Sequence, residues 1–229
     1  MQKLKIVAFT GAGISAESGL KTFRGDDGLW EGYRVEDVAT PEAWNRNPEM
    51  VQKFYNLRRK QCINAQPNAA HKALVDLEKY HEVKIITQNI DDLHERAGST
   101  FVVHLHGEIR KAQSSIQPDL IYPIEGDTIE MGKKCSMGSQ LRPHVVWFGE
   151  SVPKMVEAIN LTKQADVLIV IGTSLQVYPA AQLVYETKET CKKYVIDPNT
   201  DLFNLPKNTT VINENATSGV GMVVEILTK

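Results

Sequence analysis

Apolar residues fall in short unbroken runs along this chain, at Leu4–Phe9, Val83–Thr87, Phe101–Leu105, His144–Phe148, Asp166–Ile171, Tyr194–Ile196 and Thr209–Ile212. The runs are rich in β-branched residues and lack the alternation of a strand with one wet face, so they read as strands covered on both sides. Between several of them the period changes to that of an amphipathic helix, as at Ala69–Tyr80 and Pro179–Lys188. The alternation predicts an α/β fold built on a doubly wound, mostly parallel sheet.

Two stretches break this rhythm. Lys21–Pro67 reads as loop and helices rich in aromatic and charged residues, and Ile109–Leu141 carries Pro118, Pro123, Gly126, Gly132 and Gly138 among weak strands. Both read as insertions, about 21–67 and 109–141, that pack together as a smaller lobe. The larger lobe then takes about 1–20, 68–108 and 142–229, with a cleft between the two.

Composition changes this picture little. At 229 residues, with 42% hydrophobic and 24% charged residues, the chain suits one globular domain. A net charge of −2 gives no electrostatic case for nucleic acid or an anionic membrane as partner. MQKLKIVAFTG reaches glycine too soon for a secretory signal, and no apolar run approaches the length of a membrane span, so the expected location is cytoplasmic. Cys62, Cys135 and Cys191 form no C-x-x-C pair and read as buried or incidental thiols. Nothing in the pattern fixes an oligomeric state.

Candidate chemistry gathers at the strand ends. Gly11, Gly13 and Ala16 follow the first run in a GxGxxA spacing, which fits either a tight structural turn or a phosphate loop. A hydride-transferring dehydrogenase would need a long helix, a second strand and a ribose-binding acid about 20 residues on. Here Gly19 follows almost at once, and Asp26 and Asp27 sit in a glycine-flanked loop. Gln88, Asn89 and Asp91 follow the second run, His106 and Gly107 the third, Gly172, Thr173 and Ser174 the fifth, and Asp197 the sixth. In a parallel sheet those positions border the ligand crevice. His106, at the strand exit, suits a general base, while His104 reads as a buried, hydrogen-bonded histidine. His71, His81 and His94 read as surface residues.

The segment Glu49–Ala65 reads as a helix whose apolar stripe is Val51, Phe54, Tyr55 and Cys62. Arg58 falls within that stripe, whereas Arg59 and Lys60 turn away. An inward arginine either meets an anionic ligand, closes an internal salt bridge, or packs its stem and reaches water. Tyr55 lies three residues earlier and therefore on the same side.

GAGISAESG, the TFR of Thr22–Arg24, TQNIDDLHERAG, HLHGE, RPHVVWFGE and GTSLQVYPA together resemble the ordered motifs of the sirtuins, NAD-dependent protein-lysine deacylases. The resemblance runs from about Phe9 to Ala180, with weaker echoes at Ile196–Asn199 and Asn215–Val220. It implies a Rossmann-like large lobe and NAD consumed as a co-substrate, yielding nicotinamide, free lysine and O-acyl-ADP-ribose. Carried over by motif, His106 and Asn89 are catalytic, and Gly11, Ala12 and Gly13 contact the phosphates. Phe23, Arg24 and Trp30 belong to a covering loop. Gln88 and Asn89 meet the nicotinamide ribose, and Ile90 and Asp91 the nicotinamide side. Gly172, Thr173 and Ser174 meet the adenosine half, joined by Asp197, Asn199 and Ala216. Asp197 stands where many sirtuins have asparagine.

On the substrate side, the resemblance implies that Val146, Trp147 and Phe148 pair with an extended peptide carrying the acylated lysine. Tyr55 and Arg58 are similar to the signature of the class that removes succinyl, malonyl and glutaryl groups, and Ala39 to the small residue that leaves room for them. Sirtuins usually hold a structural zinc on two cysteine pairs, whereas Ile109–Leu141 contains only Cys135. No zinc is therefore expected. Apolar packing of Ile116, Leu120, Ile121, Tyr122, Ile124, Ile129 and Met131 is expected to hold the small lobe instead. A plain deacetylase, an ADP-ribosyltransferase and a non-catalytic NAD sensor remain alternatives.

Overall fold

The computed structural model describes residues 2–22, 29–30, 32–199 and 205–229, with Leu29 and Trp30 described by their backbone alone. The chain opens with β1 (Lys5–Thr10) and the short α1 (Gly13–Ala16). The hairpin β2 (Leu29–Trp30) and β3 (Tyr33–Arg34) leads to α2 (Val35–Val38), α3 (Pro41–Arg46), α4 (Pro48–Asn64) and α5 (Ala69–Glu78). Next come β4 (Glu82–Thr87), α6 (Leu93–Ala97), β5 (Val102–His104), β6 (Gly107–Ser114), β7 (Ile121–Pro123) and β8 (Leu141–Val145). The chain closes with α7 (Met155–Gln164), β9 (Val167–Ile171), a 3-10 turn at Ala180–Tyr185, β10 (Lys192–Ile196), β11 (Thr209–Ile212) and α8 (Ala216–Thr228).

Six strands form one parallel sheet in the order β11-β10-β9-β1-β4-β5. Its continuous apolar runs are explained by cover on both faces. Ile6, Ala8, Ile85 and Ile169 pack beneath Leu74 and Leu77 of α5 and Val220 and Val223 of α8. Val7, Phe9, Ile86, Leu168 and Val170 pack beneath Ala158 of α7 and Leu183 and Val184 of the 3-10 turn. Each Val, Leu, Ile or Phe among them contributes roughly 1.5–3 kcal/mol when fully buried. Among the described residues, no helix is long and apolar enough to cross a membrane.

Two elements depart from the sequence pattern. The run His144–Phe148 does not join the parallel sheet. Its strand is β8, which pairs antiparallel with β6 in a separate sheet of order β7-β6-β8. Val145 and Trp147 bury themselves against the α4 cluster of Val51, Phe54 and Tyr55, and an apolar run records burial without recording which sheet supplies it. The helix expected over Pro179–Lys188 contracts to the 3-10 turn at Ala180–Tyr185.

The small three-stranded sheet has its own core of Ala112, Ile124, Ile129, Cys135 and Leu141, with Tyr122 against it. Ile116, Ile121 and Met131, expected in that core, are exposed. Side chains of α4 supply the missing attachment. Asn56 makes a two-way amide contact with Ile129, through Nδ2 to its carbonyl (3.2 Å) and Oδ1 from its N–H (3.0 Å), and Gln52 Nε2 donates to the same carbonyl (3.0 Å). Arg59 is fully buried, contrary to the outward direction expected from the helical projection. Its Nε donates to the Ile109 carbonyl (2.7 Å) and its Nη1 to the Asp127 carbonyl (3.1 Å) and Asn56 Oδ1 (2.7 Å). A projection ranks residues by hydropathy, and an arginine whose guanidinium meets backbone carbonyls escapes that ranking.

His71, His81 and His94 are likewise buried rather than superficial. His81 Nδ1 accepts from the Leu4 N–H (3.3 Å) while its Nε2 donates to the Leu227 carbonyl (2.8 Å), tying β1 to the end of α8. A neutral imidazole carries one donor and one acceptor, so it can satisfy both inside a core.

Candidate functional site

The site begins where β1 turns into α1. The Gly11 N–H donates to the Ile171 carbonyl (2.9 Å) and the Gly13 N–H to the Gly172 carbonyl (2.8 Å), so this turn lies directly on the end of β9. A Cβ at Gly11 would stand 2.7 Å from the Gly172 oxygen, and one at Gly13 2.6 Å from the Gly172 Cα. Gly172 itself has φ +59°. The glycines are thus required by backbone against backbone, and the same bareness leaves the turn open to a flat or charged ligand group.

Beside it, the segment after β4 is held from several sides. Gln88 Nε2 donates to Thr173 Oγ1 (2.9 Å), across the end of β1. Asn89 directs its amide hydrogens to the Gly11 carbonyl (3.1 Å) and Ser15 Oγ (3.2 Å), and its backbone N–H to Thr87 Oγ1 (3.0 Å). Asp91 is buried, accepting from Ser15 Oγ (3.0 Å) and the Leu93 N–H (3.2 Å). Burial raises its pKa above the ordinary carboxylate value, against the opposing pull of those two donors.

His104 and His106 meet different partners, which shift their pKa values in opposite directions. His106 Nδ1 donates to the Gln88 carbonyl (3.0 Å), which leaves Nε2 as the basic nitrogen. Burial lowers its pKa below the usual imidazole value, with the Gln88 carbonyl opposing. His104 meets an acceptor at both nitrogens, the Asn89 carbonyl at 3.0 Å from Nδ1 and Glu95 Oε1 at 2.7 Å from Nε2. Both partners favour the protonated form of the ring. Burial pulls the His104 pKa down, but the Glu95 carboxylate and the Asn89 carbonyl outweigh it and the pKa is raised.

A cavity of about 480 Å³ unites these groups. Its wall contains Gly11, Ala12, Gly13, Gln88, Asn89, Ile90, Asp91, His106, Gly172, Thr173, Ser174, Asp197, Asn199 and Ala216. It also contains Ala39, Tyr55, Arg58, Val146, Trp147 and Phe148. Phe23 and Arg24 lie outside the described residues, and Trp30 is described only as part of β2. Ser15, Tyr178 and Asn215 also line the cavity, although the sequence pattern singles out none of them as site residues. Ser15 had one legible signal, a hydroxyl in the first turn after a glycine loop beside the apolar Ile14.

At the α4 side of the cavity, Tyr55 is fully buried and Arg58 is 6% exposed. Arg58 Nη1 donates to Gln61 Oε1 (3.0 Å). Burial raises the Tyr55 pKa well above that of a free phenol, against the Trp147 hydrogen bond, so the hydroxyl stays protonated. Trp147 Nε1 donates to that hydroxyl at 3.1 Å. The N–H of Val146 donates to the His106 carbonyl (2.9 Å) and that of Phe148 to the Ala39 carbonyl (3.0 Å). Those N–H groups are therefore engaged within the chain.

Among the described residues, no group of three or more His, Cys, Asp or Glu side chains converges as a metal site. Cys135 Sγ lies instead between Ser114 Oγ (3.4 Å) and Ser139 Oγ (3.1 Å). A tetrahedral zinc needs four such donors, and this set does not fit one.

Comparison with known proteins follows the same lines. The family model described as Sir2 matches residues 11–179. An NAD-dependent protein deacylase of Helicobacter pylori is 54% identical over 211 residues, covering 92% of each chain. Another, from Aggregatibacter actinomycetemcomitans, is 58% identical over 193 residues, covering 84% of this chain and 92% of its own. A solved Sir2 homologue in complex with NAD superposes with TM-score 0.88 at 40% identity, over 97% of this chain and 89% of that one. A Sir2 variant with a deacetylated p53 peptide and 3′-O-acetyl ADP-ribose gives TM-score 0.77 at 30% identity, over 96% and 92% of the two chains.

Proposed function

The chain belongs to the Sir2 family and is an NAD-dependent protein deacylase, and from that premise we propose that it acts on lysines whose acyl group ends in a carboxylate, such as succinyl, malonyl or glutaryl. One observation carries the reading: the cavity that holds the glycine turn and His106 also holds a buried Tyr55 and Arg58. A guanidinium can grip a carboxylate through two parallel hydrogen bonds, and a protonated phenol adds a third donor. Ala39, a small side chain, lines the same cavity.

NAD supplies an anomeric carbon from which nicotinamide can leave. The chain's own groups do the rest. Gly11, Ala12 and Gly13 form a turn without bulky side chains against which the phosphates lie, and the Asn89 side-chain oxygen, its amide hydrogens already engaged, receives a ribose hydroxyl. His106, neutral and fixed through Nδ1, takes a ribose proton at Nε2. Gly172, Thr173, Ser174, Asp197, Asn199 and Ala216 receive the adenosine half. The Val146–Phe148 segment, whose N–H groups are engaged within the chain, receives the extended peptide through its backbone carbonyls, which selects lysine with a loose sequence preference. The small lobe uses the α4 contacts and its apolar core, without zinc.

Measuring kcat/KM on matched succinyl and acetyl peptides, for the wild type and Arg58→Met, tests the substrate. The wild type should prefer succinyl, and Arg58→Met should lose roughly 2–5 kcal/mol of that selectivity, the loss typical of a desolvated charge pair. No succinyl advantage, or equal losses on both peptides, rejects the reading. Nicotinamide release that depends on acyl-peptide separates a deacylase from a sensor.

A further inference from the structure

We propose that Trp147 is a specificity-determining residue, acting through Tyr55, and that the Arg142–Glu150 pair positions its indole for that task. The inference rests on the acidic-acyl reading above and assigns a role to groups which that reading leaves unused.

The geometry is a chain of contacts that joins buried Arg142, Trp147 and Tyr55 through half-buried Glu150. The Arg142 guanidinium lies 3.9 Å over the Trp147 ring. Arg142 Nη2 pairs with Glu150 Oε1 at 2.8 Å, and the other carboxylate oxygen, Oε2, accepts from the Trp147 backbone N–H at 2.8 Å. One carboxylate thus ties the ring's cationic cover to the ring's own backbone, which fixes the plane of the indole. Trp44 packs against the indole at 5.8 Å between ring centroids, the two planes tilted by 37°.

What this scaffold delivers is a single hydrogen. An indole nitrogen only donates, whereas a phenol both donates and accepts. With the Trp147 N–H directed into the Tyr55 oxygen at 3.1 Å, the phenol's own hydrogen must point elsewhere, and Tyr55 lines the cavity beside Arg58. Tyr55 is thereby set to present a donor, which a carboxylate requires. Without the indole donor the hydroxyl can turn its lone pairs toward the acyl group and repel the same carboxylate.

A double-mutant cycle tests this. Trp147→Phe keeps an aromatic ring beneath Arg142 and removes the N–H; if that variant fails to fold, β-(3-benzothienyl)alanine at position 147 retains the bicycle with sulfur in place of N–H. The readout is the ratio of kcat/KM for succinyl peptide to that for acetyl peptide, in wild type, Trp147→Phe, Tyr55→Phe and the double variant, with Arg58→Met as reference. The expected result is a roughly tenfold fall in the ratio on losing the indole N–H, carried mainly by the KM for succinyl peptide, and a double variant no less selective than Tyr55→Phe alone. An unchanged ratio, or losses that simply multiply, overturns the role of Trp147 while Arg58→Met still reports on the acidic-acyl reading. A wild type without succinyl preference overturns that reading and the inference with it.

Discussion

His104 and His106 are two residues apart, yet one is held between a carbonyl and a carboxylate and the other against a single carbonyl. Their environments push the two pKa values in opposite directions. His106→Ala should reduce deacylation kcat by about 10²- to 10⁴-fold, the usual worth of a positioned base, in a peptide deacylation assay. The acid limb of kcat/KM should fall below the ordinary imidazole value of 6.5, because burial lowers the His106 pKa. At Gly172, φ +59° and the Gly13 backbone against it leave no room for a methyl group. Gly172→Ala should cost about 1–3 kcal/mol of stability in urea titration and raise the KM for NAD more than that for peptide.

Helix α4 serves both parts of the molecule. One side brings Tyr55 and Arg58 to the cavity, and Gln52, Asn56 and Arg59 grip the chain around Ile109, Asp127 and Ile129. The guanidinium of Arg59 meets carbonyls rather than an acid in these contacts, and burial lowers its pKa to about 10. Arg59→Met should destabilise the fold by about 3 kcal/mol, because it strands buried carbonyls that had a charged donor. The urea midpoint should move while the succinyl-to-acetyl ratio of the folded enzyme stays within about twofold, since Arg59 is not on the cavity wall. Chelator dialysis should leave the thermal midpoint unchanged if these contacts replace a metal, and stoichiometric zinc in the purified protein would contradict that account.

For the whole molecule, buried histidines predict a stability optimum near neutrality. Burial lowers the His71 pKa from 6.5 to about 4, and that of His94 well below 6.5. Below pH 6.5 the unfolded chain binds protons that the folded one refuses, so stability present above that value is lost as pH falls toward 4, up to roughly 3 kcal/mol for His71 alone. His104 has the opposite sign. Its folded pKa is raised, so its contribution is complete below 6.5 and is lost as pH rises through the folded value. Denaturation midpoints measured from pH 5 to 9 should fall on both sides. Removing His71 should flatten the acid side, and removing His104 the alkaline side.

By itself the sequence determined the parallel sheet, the glycine turn, the polar clusters at the strand ends and the family, because each depends on residues close together in the chain. Strand burial on both faces leaves an unbroken apolar run, and a turn without side chains leaves a glycine spacing. Only the tertiary structure decided which sheet β8 joins, why Arg59 and three histidines are inside, and how Trp147 reaches Tyr55 across 92 positions of chain. The physical reason is that a polar side chain's fate depends on the partner it finds, and a partner distant in sequence leaves no period to read.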